Sequence, residues 1–130
     1  MINVLIKTES HYTVDRQRIR SAVEKVLGEK GVKGKIEVSV NIVGDRLMKE
    51  LNKKYRNLDE TTDVLSFPLG GDANDKPFVD PPDNILRLGD IIISYPQARE
   101  DASVENKLVD DKIDELVAHS MLHLLGQHHE

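Results

Sequence analysis

Four of the five histidines in this 130-residue chain lie in its last dozen residues, and they restrict how its C-terminal part can fold. His119 and His123 are four residues apart, so on a helix their rings project from one face, one turn apart. Gly126 follows three residues later, where a glycine can adopt the left-handed conformation that ends a helix. We therefore expect the helix to end there and the chain to turn back, bringing His129 up to the first two rings.

Three converging imidazoles at His119, His123 and His129 predict a site for one divalent metal ion, with zinc favoured and nickel as an alternative. Such a site leaves a fourth position for water or substrate, which is typical of a catalytic metal. A lone His-x-x-x-His pair is often only a packed core pair, so the third histidine carries the prediction. The helix is apolar nearly all round from Leu116 onward. We therefore expect buried rings, which are costly unless a metal or hydrogen bonds satisfy them.

Length and composition predict one domain over residues 1–130 and exclude some classes of site. The chain has no cysteine, so it has neither disulfides nor a thiolate metal site. With no signal-peptide pattern and no apolar run of about 20 residues, we expect a cytoplasmic protein without a membrane contact. The net charge of −5 argues against a general nucleic-acid binder. The balance is uneven, however: residues 1–60 carry 13 basic and 9 acidic side chains, which allows a basic face.

Hydrophobic periodicity predicts alternating strands and helices. Strands are expected over residues 2–7, 36–42, 64–67 and 88–94, the last of them central or nearly so. A first helix should start at a Thr13 cap and close at Gly28, and Ser94 or Tyr95 should precede a helix over 97–104. The last helix is expected over 107–125, and residues 70–86 read as a long loop.

The second predicted helix, capped by Asp45 and ending near Arg56, combines an apolar face with a basic one. Its inner face is expected to hold Leu47, Met48, Leu51 and Tyr55. Four cations recur at spacings of three, four and three, and we call them the basic stripe: Arg46, Lys49, Lys53 and Arg56. Such a stripe is either a solvated surface or a track for the phosphates of a nucleic acid.

The histidine spacing also matches the zinc ligands of metzincin metallopeptidases, which offers an alternative function. Those enzymes place a glutamate directly after the first histidine, as the general base for the attacking water. Here that position is Ser120, which cannot act as a base near neutral pH. The sequence therefore disfavours a peptidase.

Three blocks of the sequence resemble the YbeY endoribonucleases, also called rRNA maturation factors. Together they span most of the chain from residue 51 onward. The blocks are Leu51-Asn52, Tyr55-Arg56, Asp59 and Thr62-Asp63-Val64-Leu65-Ser66-Phe67-Pro68; Leu88-Gly89-Asp90-Ile91; and His119, His123-Leu124, Gly126 and His129.

The resemblance implies a zinc-dependent, single-strand-specific endoribonuclease of 16S rRNA 3′-end maturation and ribosome quality control. It also implies an α+β fold in which a mixed four-stranded sheet packs around the histidine-bearing helix. The metal ligands would be His119, His123 and His129, and Arg56 would match the family's functionally important arginine. Implied partners are RNA, small-subunit ribosomal proteins and an assembly GTPase, but not DNA. A ribosome-assembly or RNA-binding factor with a structural metal is the alternative.

Physical chemistry gives each implied residue a role. Three neutral imidazoles leave a zinc ion its full charge to activate water and to polarise a phosphoryl oxygen. Arg56 offers a forked, permanently charged donor for the phosphate, and the remaining basic stripe would bind the RNA backbone. Thr62 or Asp63 is expected either to orient an imidazole or to cap a strand.

The chain departs from the family pattern at three places. Ser120 replaces the glycine that usually follows the first histidine, and His128 replaces an aspartate, so His128 could compete with His129 as a ligand. The family pattern also usually continues beyond residue 130. We therefore expect weaker metal retention than is usual in the family.

Overall fold

The computed structural model describes residues 1–9, 11–69 and 84–128, with side chains described as far as residue 126. The elements follow an α+β order, in agreement with the expected fold class. They are β1 (Ile2–Thr8), α1 (Arg16–Glu29), β2 (Lys35–Val43), α2 (Asp45–Arg56), β3 (Val64–Pro68), β4 (Ile85–Ser94), α3 (Tyr95–Val104) and α4 (Val109–His128).

The four strands form one mixed sheet in the order β1-β2-β4-β3. β1, β2 and β4 run parallel to one another, and β3 is antiparallel to β4 at the edge of the sheet. The predicted central position of the most apolar strand is confirmed, because β4 lies between β2 and β3. Its pairing with β3 matters most for the site, since this pairing decides which β3 side chains face which helix.

α1 and α4 share the main hydrophobic core with one face of the sheet. Along β2, side chains alternate in burial, and Val38, Val40 and Ile42 are buried in this core. α4 contributes Val117 and Met121, both fully buried. Burying a side chain of this size stabilises the fold by roughly 1.5–3 kcal/mol, so the core anchors α4 firmly against the sheet.

α2 packs against the opposite face, where it covers only the β3–β4 end of the sheet. Met48 is fully buried there and Leu51 packs beside it, as predicted. The prediction that Leu47 and Tyr55 also belong to the inner face is wrong, because Leu47 is 39% exposed and Tyr55 is 55% exposed. The covered stripe is narrower than the apolar pattern, and the polar Asn52 is buried within it. Its side-chain amide donates to the Glu60 carbonyl at 2.9 Å, which ties α2 to the segment that leads into β3.

Asp45 joins three segments of the chain. The prediction that it caps α2 is wrong. Gly44 is the N-cap, and Asp45 is the first helical residue. The Asp45 carboxylate accepts hydrogen bonds from Thr61 Oγ1 at 3.0 Å, Ser94 Oγ at 2.8 Å and Gln97 Nε2 at 3.2 Å. One side chain thereby joins the start of α2, the start of α3 and the residues before β3.

Other predicted element ends need correction. α1 starts after Asp15, whose side chain accepts the Arg18 amide, so the predicted Thr13 cap is wrong. The helix also continues through Gly28 to Glu29, because a glycine permits a helix end without requiring one. Of the two residues expected ahead of α3, Ser94 is the N-cap, while Tyr95 is already the first helical residue.

Most of the predicted loop over residues 70–86 lies outside the described residues, and β4 already begins at Ile85. Within the described part of the chain, no helix has the length and apolarity needed to cross a membrane.

Gly89 fixes the close approach of β3 and β4, and this yields a first prediction. Its φ of +141° is strained for any other residue, and a Cβ atom there would lie 2.2 Å from the Phe67 carbonyl oxygen. We expect Gly89→Ala to lower the free energy of unfolding by at least about 2 kcal/mol. Urea denaturation would measure this change.

Gly28→Ala is the matched control, because nothing lies within 4 Å of a Cβ atom at Gly28. As a helical substitution it should raise the free energy of unfolding by about 0.5–1 kcal/mol. Equal effects of the two substitutions would contradict the close-approach argument.

Candidate functional site

The candidate site lies beside β3, the edge strand of the sheet. Ser66 pairs with Ile91 of β4, so it points to the face of the sheet that α4 covers. Leu65 and Phe67 point to the opposite face, where α2 packs. β3 therefore stands between α4 on one side and α2 on the other.

His119 and His123 are exposed on α4 and face a depression of about 500 Å³. Two of the other residues lining it are Arg56 from α2 and Ser66 from β3. The prediction that the two histidines are buried is therefore wrong. α4 is buried along one side by residues such as Leu124, but the histidine side is left open. Because the two imidazole rings are exposed, the cost of burying them gives no separate argument for a metal.

Ser66 orients His123 through a direct hydrogen bond. The Ser66 hydroxyl lies 2.7 Å from His123 Nδ1. This contact fixes the plane of the ring and leaves Nε2 available for another partner. Sequence reasoning missed Ser66 and chose Thr62 or Asp63 for this role, and neither of these lines the depression. Period-two alternation from Val64 was the signal that could have found Ser66.

Arg56 reaches the depression because α2 ends there. Asn57 takes a left-handed conformation, with φ of 58°, and its amide bonds back to the last turn of the helix. This geometry ends the helix immediately after Arg56. Arg56, His119 and His123 are therefore brought together, as predicted.

The other members of the basic stripe do not line this depression. Arg46 is at the opposite end of α2, about 15 Å away along a helix with 1.5 Å rise per residue. Arg46 Nε lies 3.9 Å from Glu50 Oε1, and Lys49 Nζ lies 3.9 Å from Asp59 Oδ1. Both ion pairs are long and exposed to solvent. Lys53 is exposed as well. These three side chains form a solvated row that leads toward Arg56.

The donor chemistry of the depression fits a divalent metal ion, with two imidazoles on one helix face. Within the described residues, no group of three His, Cys, Asp or Glu side chains comes together to complete a site. His129 lies outside the described residues, as does the side chain of His128. The predicted helix end at Gly126 is wrong, because α4 continues through it to His128. The glycine is exposed and its backbone stays helical.

Comparison with known proteins assigns this chain to a family. The profile of the family described as endoribonuclease YbeY matches residues 5–130. The chain belongs to this family. An endoribonuclease YbeY of Dehalococcoides mccartyi is 40% identical over 99% of this chain and 84% of its own length. One from Roseiflexus is 42% identical over 90% of this chain and 72% of its own length.

A solved structure has a similar fold. The solution structure of TM1509 from Thermotoga maritima superposes with a TM-score of 0.59 at 26% identity. The match covers 93% of this chain and 71% of that protein. The expected YbeY resemblance and the α+β class are therefore confirmed.

Ser120 stands where a metzincin has its glutamate base, and here it is buried, with 3% of its surface exposed. A serine offers no carboxylate to act as a base toward water. The disfavoured peptidase mechanism gains no support from this geometry.

Asp63 contacts Asp101 of α3 and takes no part in orienting His123. The pKa of Asp101 is raised, first because burial disfavours its charged form and next because its carboxyl group hydrogen-bonds Asp63. The charge of Lys112 opposes this rise, and that of Glu105 adds to it. The Asp63 carbonyl also accepts the Ser94 amide at 2.9 Å, so this contact lies at the start of β3.

The raised pKa yields a second prediction, on stability against pH. An acid whose pKa is raised by folding destabilises the fold once it ionises, so the cost appears as pH rises above about 4. Asp101→Asn keeps a donor for Asp63 without the charge. We expect it to be more stable than the parent at pH 7 by less than about 1 kcal/mol, since the group is partly exposed. Urea titrations at pH 3.5 and pH 7 would measure the difference, which should vanish at pH 3.5.

Glu100→Gln is the control, because Glu100 is an exposed acid on the same helix. This substitution should leave stability nearly unchanged at both pH values. A loss of stability in Asp101→Asn at pH 7 would refute the proposed cost of ionisation.

Proposed function

We propose that this member of the endoribonuclease YbeY family cleaves single-stranded RNA with one bound zinc ion. We expect this protein to act in maturation of the 16S rRNA 3′ end and in ribosome quality control. The observation that supports this most is the depression that joins two imidazoles, one of them oriented by Ser66, to the guanidinium of Arg56. Family membership supports the endoribonuclease activity, and the depression is the site at which we propose that it occurs.

His119 and His123 are the described residues that would hold the metal. The His-x-x-x-His spacing with the third histidine makes His129 the proposed further ligand, and His128 its competitor. A bound zinc ion would supply a Lewis acid for a phosphoryl oxygen and activation of water as the nucleophile. Nickel is the alternative ion, because imidazoles bind both.

Ser66 acts in this proposal by holding a ligand in place. With Nδ1 of His123 engaged by Ser66 at 2.7 Å, Nε2 is the ring nitrogen that is left to bind the metal. Partners of this kind raise metal affinity by about 10- to 100-fold, because the ring is already oriented when the metal binds. No rearrangement of β3 or α4 is then needed at the moment of binding.

Arg56 would bind the phosphodiester that is cleaved. Its guanidinium offers a positive charge and two parallel donors to two phosphate oxygens. Negative charge grows on those oxygens as water attacks, so the same contact stabilises the transition state more than the bound substrate. The exposed row of Lys53, Lys49 and Arg46 would contact the neighbouring phosphates.

In this proposal the substrate and the partners are those that the family resemblance implies. The chain would act in the cytoplasm on rRNA and meet small-subunit ribosomal proteins or an assembly GTPase. The row of Lys53, Lys49 and Arg46 outside the depression suits an RNA strand that runs along α2 before it reaches the metal.

The decisive experiment, and our third prediction, combines metal content with cleavage. Protein purified without nickel resin or chelator should hold about one zinc ion per chain and cleave a single-stranded rRNA fragment. His123→Ala should lose both properties while keeping its fold, since the ring is exposed. Ser66→Ala should keep activity at high zinc but bind zinc about 10-fold more weakly, measured by competition with a chelator.

His11→Ala is the control for this experiment, because His11 is exposed and does not line the depression. It should keep both zinc and cleavage. Cleavage that persists in His123→Ala would refute the catalytic assignment. Zinc-loaded parent protein that binds RNA without cutting it would instead identify a non-catalytic RNA-binding factor.

A fourth prediction tests Arg56. We expect Arg56→Ala to lower kcat/KM for RNA cleavage about 100-fold, as the loss of one transition-state donor does in other enzymes. Arg56→Lys should recover only part of this loss, because an ammonium group lacks the paired donors. Zinc content should be unchanged in both variants. A parallel loss of zinc would assign Arg56 to the structure of the metal site.

A further inference from the structure

Tyr55 is a large aromatic side chain exposed beside the depression, contrary to the prediction that it is buried. Its exposed fraction is 55%, although a tyrosine ring usually buries most of its apolar surface. Neither the fold nor the roles assigned to the depression account for this exposure. An exposed ring next to a site for a polyanion therefore needs its own explanation.

The ring is held in place from one side. Its centroid lies 5.0 Å from that of Phe67, with the ring planes tilted by 57°. Phe67 itself packs against the cluster of Met48, Leu65 and Val43, so it is a fixed support. Because the contact is tilted, Phe67 does not cover a whole face of the Tyr55 ring.

A cation already lies over the Tyr55 ring. Lys54 Nζ is 5.1 Å from the ring centroid. Lys54 is exposed and on a flexible stem, so it can move from the ring to a phosphate when another flat group takes its place. Lys53, two residues before Tyr55, and Arg56, directly after it, supply further positive charge.

Two separate chain segments place Tyr55 next to the candidate site. On α2 it directly precedes Arg56, which lines the depression. On β3 its partner Phe67 directly follows Ser66, which bonds to His123, but points to the opposite face, so the Tyr55 ring and the two histidines lie on the two sides of this edge strand. A nucleotide whose phosphate met Arg56 would therefore have its own base, or the next one, within reach of the Tyr55 ring.

We propose that Tyr55 is a stacking platform for one unpaired base of the RNA strand, next to the phosphate bound by Arg56. This inference rests on the proposed RNA substrate and deepens it. Base stacking on an aromatic ring is tolerant of sequence, because every base has a π-face. In a duplex both faces of each base are covered by neighbours, so only a single strand can use the platform.

The chain contains no tryptophan, which permits a clean fluorescence test. Tyr55→Trp introduces the only indole, and stacking of a base on it should quench its emission. The ligand would be a phosphorothioate-linked single-stranded RNA, which resists cleavage by the zinc-loaded protein. The same RNA annealed to its complement should quench far less. An abasic position moved along the strand should abolish quenching at one register only.

Leu47→Trp is the matched control for the probe, because Leu47 is exposed near the other end of the same helix. Its fluorescence should not depend on the abasic position. Equal quenching by single strand and duplex in Tyr55→Trp, or quenching indifferent to the abasic position, would overturn the proposal. Quenching by unfolded peptides but not by RNA would overturn it as well and assign the ring to a protein partner.

The fifth prediction concerns affinity and rate. Tyr55→Ala should weaken binding of single-stranded RNA by about 5- to 150-fold, the effect of losing one stacked base. Tyr55→Phe should stay within about 2-fold of the parent, since it keeps the ring. KM for cleavage should rise in Tyr55→Ala with kcat nearly retained, and Leu47→Ala should change neither.

Failure of this proposal can be told apart from failure of the proposed function. Zinc-loaded parent protein that does not cleave RNA would refute the function, whatever Tyr55 does. Unchanged RNA affinity in Tyr55→Ala would refute stacking while cleavage by the parent stands. A fall in kcat or in zinc content, with affinity unchanged, would mean that Tyr55 only supports the structure of the depression.

Discussion

The candidate site depends on the register in which β3 pairs with β4. Successive side chains of a strand point to opposite faces, so a slip by one residue would exchange the two faces. Ser66 would then turn away from His123, and the apolar Leu65 and Phe67 would face α4. Gly89 holds the register, because only a glycine allows the close approach of the Phe67 carbonyl. The hydrogen bond from the Ser94 amide to the Asp63 carbonyl holds it at the other end.

The register also determines which helix forms each side of the depression. α4 is anchored by the main core on one face of the sheet, and α2 by the smaller cluster on the other. The edge strand between them is short, so side chains from both helices can reach around it. Asp45 adds the constraint on α2, since its carboxylate ties the helix to Thr61 ahead of β3 and to Ser94 at the end of β4. The imidazoles and Arg56 are thus held by separate parts of the fold.

Local patterns in the sequence predicted the elements well and their environments less well. The spacing of His119 and His123 was enough to place them on one helix face, and alternation was enough to find the strands. Burial depends on what packs against each face, which a single segment does not contain. α4 is apolar around His123, yet no described element covers that side. Tyr55 and Leu47 follow helical spacing, yet the side of α2 that packs against the sheet is narrower than this apolar pattern.

The other incorrect predictions concern single residues that are compatible with more than one local structure. Gly126 can end a helix, and here the helix continues, so its geometry gave no support for the return of His129. Thr13 and Asp45 are both good caps in isolation, but Asp15 and Gly44 occupy those positions. Ser66 could be recognised as part of a family block, but its contact with His123 exists only once β3 is paired in register. Tertiary structure decides such cases.

The acidic net charge is compatible with an RNA substrate because the charges are separated in space. Asp111 lies about 12 Å from His119 along α4, beyond the screening length of about 8 Å at physiological salt. Glu115 lies closer, about 6 Å along the helix, but is paired with Lys112. Arg18 pairs with both Asp111 and Asp114, which neutralises part of that end of the helix. The cations of α2 stand on the other side of β3 and lead to the depression. A polyanion approaching α2 therefore meets a basic surface on a protein whose total charge is negative.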